Sequence, residues 1–151
     1  MGGLIPLAVY TALTGQAALW VLWRSAPLIL GIGLIMLTNN ISDIERDIPA
    51  GRKTLAVLMG RLKAAGLYRA MLILWPLLIT VMTIVEDFAG AVILPPLFLL
   101  AGPALLRQAA LPLTPPVRGA AMRGILHLNL VLGLGCILVP LLSRILSGGR
   151  L

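Results

Sequence analysis

The chain has 151 residues, of which 60% are hydrophobic and only 11% are charged, whereas about 25% of the residues of an ordinary soluble domain are charged. This composition excludes a water-soluble globular domain and predicts an all-α, polytopic bundle of transmembrane helices in a lipid bilayer. The formal net charge of +7 does not indicate nucleic-acid binding, because the basic residues are scattered between apolar segments and form no basic face with interleaved aromatic residues.

Four apolar segments reach or approach the ~17 residues that a helix needs to cross a bilayer. They are Ser25 to Ile41, Ala70 to Val85, Phe88 to Leu106, and Ile125 to Ser143. An earlier apolar segment, Leu4 to Leu13, ends at the turn-like Thr14-Gly15-Gln16 and is too short to span. We therefore expect a single membrane domain over residues 1–151, with about four full spans after a truncated N-terminal helix.

The distribution of basic residues predicts the orientation of the bundle. The connection 42–69 contains six basic residues and 107–123 contains three more, whereas the turn at Glu86-Asp87 has no basic neighbour in the sequence and is expected to be an exposed outer turn. Because cytoplasmic loops of membrane proteins are enriched in Lys and Arg, we expect the 42–69 loop to be cytoplasmic in a multi-pass protein of the cell inner or plasma membrane. Trp20, Trp23 and Arg24 then anchor the opposite interface.

Three polar residues at the end of the first span carry the clearest functional pattern. Asn39, Asp43 and Asp47 recur every four residues, so that a helix places them along one face, about 6 Å apart along its axis. Two carboxylates in this arrangement repel each other unless a counter-charge is near. Oxygen ligands of this kind suit a divalent cation such as Mg²⁺.

A turn is predicted directly after this face. Pro49 disfavours helix at Ile48, and Ala50-Gly51 should then reverse the chain. The reversal brings Arg52 and Lys53 back toward the acidic face. Carboxylates that hold a metal ion beside guanidinium and ammonium groups are typical of a site that binds a diphosphate and stabilises it as a leaving group.

The motif also carries a family resemblance. Its residues read Asn39-Asn40-x-x-Asp43-x-x-x-Asp47-x-x-x-Gly51-x-x-Thr54-Leu55-Ala56-Val57-x-x-Gly60. This string resembles the second aspartate-rich motif of the UbiA superfamily of intramembrane prenyltransferases, and most closely that of the 1,4-dihydroxy-2-naphthoate polyprenyltransferases of menaquinone synthesis.

The resemblance implies a fold, a reaction and a set of site residues. The fold is a bundle of nine transmembrane helices, of which this chain would be the C-terminal part, and the reaction is transfer of a polyprenyl group from its diphosphate to an aromatic acceptor. Asp43 and Asp47 would be catalytic metal ligands for Mg²⁺ with Asn39 as a supporting ligand, and Arg52, Lys53 and Asn39 would contact the diphosphate. The family's first aspartate-rich motif has no counterpart in residues 1–23, so we expect the chain alone to be incomplete and to need a separate N-terminal half.

Other interpretations remain open at this stage. The acceptor could instead be 4-hydroxybenzoate or homogentisate, and the chain could be a non-catalytic membrane piece that folds only with a partner half. A cation transporter is a weaker alternative, because the spans themselves are uncharged. Within the last span, His127 and Asn129 are candidates for function or for interhelical hydrogen bonds, and Glu45 and Arg46 are interpreted as surface charges.

Overall fold

Helices and short turns make up residues 2–86 and 88–146, which are the parts of the chain that the computed structural model describes, and these parts contain no strand. In chain order the α-helices are α1 (Leu4–Thr14), α2 (Trp20–Arg24), α3 (Ala26–Ser42), α4 (Ile44–Asp47), α5 (Leu55–Met59), α6 (Arg61–Glu86), α7 (Leu94–Ala110) and α8 (Arg118–Leu146). Two 3₁₀ helices, Phe88–Ile93 and Pro115–Val117, precede α7 and α8. The predicted all-α membrane bundle is confirmed, while Asp87 lies outside the described residues.

Within residues 2–86 and 88–146, three stretches of helix are long and apolar enough to cross a membrane. They are Arg61–Glu86, Phe88–Ala110 and Pro115–Leu146. The first predicted span appears as α3, which has 17 residues and is therefore shorter than these three. The first of the predicted helices, α1, has 11 residues and ends at Gly15 in the left-handed conformation, as the short apolar segment indicated.

The helical path around α3 extends beyond its formal ends. At its start, the amide of Ser25 donates to the carbonyl of Val21, and the amide of Ile29 donates to the carbonyl of Ser25, both at 2.9 Å. At its end, the amide of Asp43 donates to the carbonyl of Asn39 at 3.0 Å. The segment from α2 to α4 is thus close to one helix with single-residue interruptions at Ser25 and Asp43.

The predicted loops are shorter than expected. α6 begins at Arg61, so that the second half of the 42–69 connection is the start of a long helix and not a loop. Similarly, the second basic connection ends in a 3₁₀ turn that begins with Pro115 and Pro116, and α8 starts at Arg118. The reason is that proline is tolerated in the first turn of a helix, where its missing N–H has no intrahelical partner in any case.

α3 packs against both α6 and α8, and α7 packs mainly against α8. The amide Nδ2 of Asn129 in α8 donates to the carbonyl of Gly31 in α3 at 3.2 Å. A Cβ on Gly31 would lie 2.3 Å from Asn129 Oδ1 and 2.7 Å from the ring of Trp75 in α6, so only glycine permits this approach of three helices. Because lipid offers apolar side chains an environment as apolar as a neighbouring helix does, close packing of this kind is a main source of helix association in membranes.

Candidate functional site

The acidic motif lies at the end of the bundle where α3 gives way to α4. Asp43 has φ −107° and ψ 10°, which interrupts the helix and separates α3 from α4. The prediction of one uninterrupted helix through Asp47 is therefore wrong, and the cause is local, since aspartate is a poor helix-interior residue that favours caps and turns. The register survives the interruption, because the amide of Asp47 still donates to the carbonyl of Asp43 at 2.9 Å.

The two carboxylates of the motif are largely shielded from solvent. Asp47 is 4% exposed, and the side chain of Asp43 is 14% exposed. Buried carboxylates require charged or hydrogen-bonding partners, because the cost of removing them from water is otherwise large. The surroundings of these two residues show how that requirement is met.

Arg118, the first residue of α8, supplies the main counter-charge. Its Nη2 donates to Asn39 Oδ1 at 2.6 Å and lies 3.1 Å from Asp43 Oδ2, and its Nε donates to Asn39 Oδ1 at 3.2 Å. A planar guanidinium can donate hydrogen bonds to several oxygens at once in this way, whereas an ammonium acts as a point charge. The sequence predicted that the acidic face needs a counter-charge but did not identify Arg118. The available signal was its place two residues after Pro116, in the second basic connection.

The predicted reversal after Ile48 is present. Gly51 has φ 66°, a left-handed conformation that favours glycine, and the amide of Arg52 donates to the carbonyl of Asp47 at 3.0 Å. The turn brings Nη1 of Arg52 to 3.5 Å from Asp47 Oδ1. Lys53 is exposed and forms no ion pair within residues 2–86 and 88–146. The structure thus brings Arg52, but not Lys53, into contact with the acidic face.

A third arginine contacts the motif segment from outside. Arg61, the first residue of α6, donates to the carboxylate of Glu45 in α4 and to the backbone carbonyl of Leu113 in the second connection. Glu45 points away from the acidic face, as expected, and is 58% exposed, but it is ion-paired and not simply solvated. Arg46 is 73% exposed and its Nη1 lies 3.9 Å from Asp43 Oδ1, which fits a surface charge. The two basic connections are therefore joined at the motif.

The oxygen atoms of the motif fit a magnesium ion. Within the described residues there is no group of three or more His, Cys, Asp or Glu side chains that would form a self-contained metal site. Mg²⁺ does not need one, since it commonly binds through one or two carboxylates and completes its shell with water and substrate phosphates. Asp43 Oδ1 is buried and has no hydrogen-bond partner among the described residues, so this oxygen remains available to a cation.

The other candidate residues have different roles. Asn129 also donates to the carbonyl of Ile125 at 2.9 Å, so its amide joins α8 to α3 as a packing contact, which is one of the two roles considered for it. His127 is exposed and lines a cleft between α7 and α8.

The prediction for Glu86 is wrong. This residue was expected in an exposed turn without basic neighbours, but the fold brings two side chains of α2 to it. It accepts a hydrogen bond from Trp23 Nε1 at 2.6 Å and pairs with Arg24 Nε at 2.7 Å, because α2 returns to the end of α6.

Comparison with known proteins places the chain in a family. The model of the UbiA prenyltransferase family matches residues 1–131. The 1,4-dihydroxy-2-naphthoate octaprenyltransferase of Bacillus subtilis (strain 168) is 40% identical over 70 residues, which are 46% of this chain and 22% of that protein. The UbiA prenyltransferase domain-containing protein 1 of Rattus norvegicus is 38% identical over 80 residues, which are 51% of this chain and 24% of that protein. The chain thus spans only a minor part of the length of either relative, and no solved structure matches it significantly.

Proposed function

Because the chain belongs to the UbiA prenyltransferase family, we propose that its acidic motif is one wall of a site that transfers a prenyl group from a prenyl diphosphate to an aromatic acceptor. The observation that carries this proposal is the grouping of Asn39, Asp43 and Asp47 on one face with the guanidinium groups of Arg118 and Arg52 beside them. Such a grouping combines oxygen ligands for a cation with donors for phosphate oxygens. An apolar helix bundle around it suits an isoprenoid substrate.

Asp43, Asp47 and Asn39 are the proposed ligands of Mg²⁺. When bound, the ion neutralises charge that develops on the diphosphate as the bond between C1 of the prenyl group and its oxygen breaks. Arg52 and Lys53 donate to the departing diphosphate, which leaves with the electron pair of that bond. Arg118 orients Asn39 and Asp43 through its contacts with Asn39 Oδ1 and Asp43 Oδ2.

The acceptor completes the reaction. A ring carbon of the electron-rich aromatic acceptor bonds to C1 of the allylic cation, and loss of carbon dioxide from that carbon restores aromaticity when the acceptor is 1,4-dihydroxy-2-naphthoate. We propose this acceptor, and hence a role in menaquinone synthesis, on the strength of the likeness to the Bacillus subtilis octaprenyltransferase. The apolar helices exclude water that would otherwise capture the cation.

We also propose that the motif faces the cytoplasm and that a further polypeptide segment supplies the facing half of the site. The excess of basic residues in the two connections at this end of the bundle favours the first statement. The short coverage of both relatives favours the second. If no such segment exists, the chain is a non-catalytic membrane piece, which is the alternative function.

The test is a prenyl-transfer assay in membranes that contain the chain, alone and together with any in-frame upstream segment encoded before Met1. A labelled prenyl diphosphate is supplied with Mg²⁺ and, in separate reactions, with 1,4-dihydroxy-2-naphthoate, 4-hydroxybenzoate or homogentisate. We expect a product with the first acceptor that disappears in Asp43→Asn and Asp47→Asn. Glu45→Gln is the matched control, since it removes a carboxylate of the same segment that points away from the site, and it should retain activity.

The possible outcomes separate the alternatives. A product with another acceptor keeps the prenyltransferase and changes its substrate. Absence of product with every acceptor, in the presence of the upstream segment, overturns the proposed activity and leaves the non-catalytic membrane piece.

A further inference from the structure

A cleft between α7 and α8 lies apart from the acidic motif and has no place in the reaction above. Its volume is about 750 Å³, and the residues that line it include Arg107, Gln108, Arg123 and His127. Arg107 is in the last turn of α7 and Arg123 is near the start of α8. The polar side of the cleft is therefore at the same end of the bundle as the motif, where the spans leave the membrane.

The positive charge of this cleft is not neutralised by the described protein. Arg107 and Arg123 are exposed and form no ion pair within residues 2–86 and 88–146. The acidic residues in those ranges are engaged elsewhere, each with a different arginine. Asp43 pairs with Arg118, Glu45 with Arg61, Asp47 with Arg52 and Glu86 with Arg24. Two guanidinium groups that line one cleft without acidic partners favour an anion, and a phosphate is an anion whose oxygens guanidinium groups bind well.

A buried hydrogen-bond acceptor in the same cleft sets a second requirement for the ligand. Gln108 is 2% exposed, and its Nε2 donates to the carbonyl of Ala121 at 2.7 Å. This contact holds the amide against Gly124, where a Cβ would lie 2.3 Å from Nε2. The other amide atom, Oε1, is buried and has no hydrogen-bond partner among the described residues. Since buried polar atoms are nearly always hydrogen-bonded, Oε1 indicates a ligand that brings a donor such as a hydroxyl group.

The remaining lining is apolar and runs into the span. Leu100 and Pro103 of α7 line the cleft one to two turns before Arg107. A ligand that satisfies all of these groups has a hydroxyl, a phosphate and a hydrocarbon chain in that order from the membrane surface inward. Basic pockets between transmembrane helices bind anionic lipid headgroups for the same electrostatic reason.

We propose that the cleft between α7 and α8 binds an anionic phospholipid with a hydroxylated headgroup, phosphatidylglycerol being the simplest. The phosphate diester lies between Arg107 and Arg123, a headgroup hydroxyl donates to Gln108 Oε1, and an acyl chain follows Leu100 and Pro103. The site lies between α7 and α8 and does not depend on prenyl transfer.

The experiment is a lipid titration of the purified chain in detergent, followed by native mass spectrometry. Phosphatidylglycerol is compared with phosphatidylcholine, which has no net charge, and with phosphatidylmethanol, which has the same charge but no hydroxyl. We expect one retained phosphatidylglycerol per chain, weaker retention of phosphatidylmethanol and least of phosphatidylcholine. Arg123→Gln and Arg107→Gln should each weaken phosphatidylglycerol binding about fivefold, the value for one basic residue at a membrane surface.

Lys63→Gln is the matched control. Lys63 is exposed in the first turn of α6, at the same end of the bundle, and it does not line the cleft. Its substitution removes one positive charge and should leave lipid binding unchanged. The two arginine variants are independent, so that a folding defect in one leaves the other as a test, with a thermal melt of each as the check.

Three results would overturn the proposal. Equal loss of binding in Lys63→Gln would show that diffuse charge attracts the lipid and that the cleft does not. Equal binding of phosphatidylmethanol would remove Gln108 from the site. Displacement of the lipid by inorganic phosphate at equal concentration would assign the cleft to a free phosphate group. Because lipid binding is measured without turnover, none of these results bears on the proposed prenyl transfer.

Discussion

Arg118 Nη2 donates to Asn39 Oδ1 at 2.6 Å across 79 positions of sequence. The same nitrogen lies 3.1 Å from Asp43 Oδ2, so the first residue of α8 holds two of the three polar residues of the acidic motif. A hydrogen bond to a charged group contributes more than one between neutral groups. The contact therefore couples the packing of α8 against α3 to the positions of Asn39 and Asp43.

Replacement of Arg118 should destabilise the chain. Arg118→Gln removes the counter-charge of Asp43, and because the Arg118 side chain is 38% exposed, we expect a loss of only about 1 kcal/mol. Thermal unfolding in detergent can be followed by the reaction of the single thiol, Cys136, with a fluorogenic maleimide. Arg46→Gln is the control, since Arg46 is 73% exposed and 3.9 Å from Asp43, and it should unfold as the unmodified chain does. Equal stability of both variants would contradict a role for Arg118 in holding the motif.

Arg118 should also compete with magnesium. It occupies Asn39 Oδ1 and Asp43 Oδ2, which are two of the oxygens proposed to bind the cation. We expect Arg118→Gln to bind Mg²⁺ more tightly than the unmodified chain and Asp43→Asn to lose binding, as measured by the Mg²⁺ dependence of the unfolding temperature. A weaker response of Arg118→Gln to Mg²⁺ would show that the arginine and the cation do not share these oxygens.

Substitutions of Arg52 and Lys53 should differ in their effect on stability. Arg52 contacts Asp47, whereas Lys53 is exposed without an ion pair in the described parts of the chain. In the complete enzyme we expect Lys53→Gln to raise KM for the prenyl diphosphate about tenfold, the loss of one charge-assisted hydrogen bond, with no change in unfolding temperature. Arg52→Gln should raise KM and also lower the unfolding temperature slightly. Unchanged KM in both variants would remove the basic pair from the diphosphate site.

Gly31 should tolerate no side chain. A Cβ there would meet Asn129 Oδ1 at 2.3 Å and Trp75 at 2.7 Å, so Gly31→Ala should cost about 1–3 kcal/mol through overpacking. Gly133→Ala is the control, because a Cβ at that position of α8 meets nothing within 4 Å. Maleimide-monitored unfolding of the two variants measures the difference. A Gly31→Ala variant as stable as Gly133→Ala would contradict the close approach of α3 to α6 and α8.

The orientation of the bundle can be tested by thiol labelling. In a Cys136→Ser background, a cysteine replaces either Lys53, which is exposed beside the motif, or Leu19, which is 79% exposed between α1 and α2. With the motif in the cytoplasm, a membrane-impermeant maleimide labels the cysteine at position 19 in intact cells. It labels the one at position 53 only after lysis. The reverse pattern would refute the cytoplasmic placement of the motif.

Local patterns in the sequence determined the helices and the register of the motif. Apolar length predicts a spanning helix because a bilayer core demands internally satisfied backbone groups. The long helical stretches Arg61–Glu86, Phe88–Ala110 and Pro115–Leu146 follow this rule. The spacing of Asn39, Asp43 and Asp47 predicts one face because a helix turns every ~3.6 residues. That register survives even the interruption at Asp43, since the backbone hydrogen bonds on either side are retained. The reversal that brings Arg52 to Asp47 was equally local, encoded by Pro49 and Gly51.

Only the tertiary structure decided which charges meet. Nothing in the sequence near Arg118 or Asn39 indicates that they form a hydrogen bond, because their contact depends on how closely α8 packs on α3, which Gly31 permits and Asn129 secures. The pairing of Glu86 with Arg24 depends likewise on the return of α2 to the end of α6. The physical reason is that hydrophobic length and helical period are properties of neighbouring residues. An ion pair between helices requires the positions of both, and packing between distant segments sets those positions.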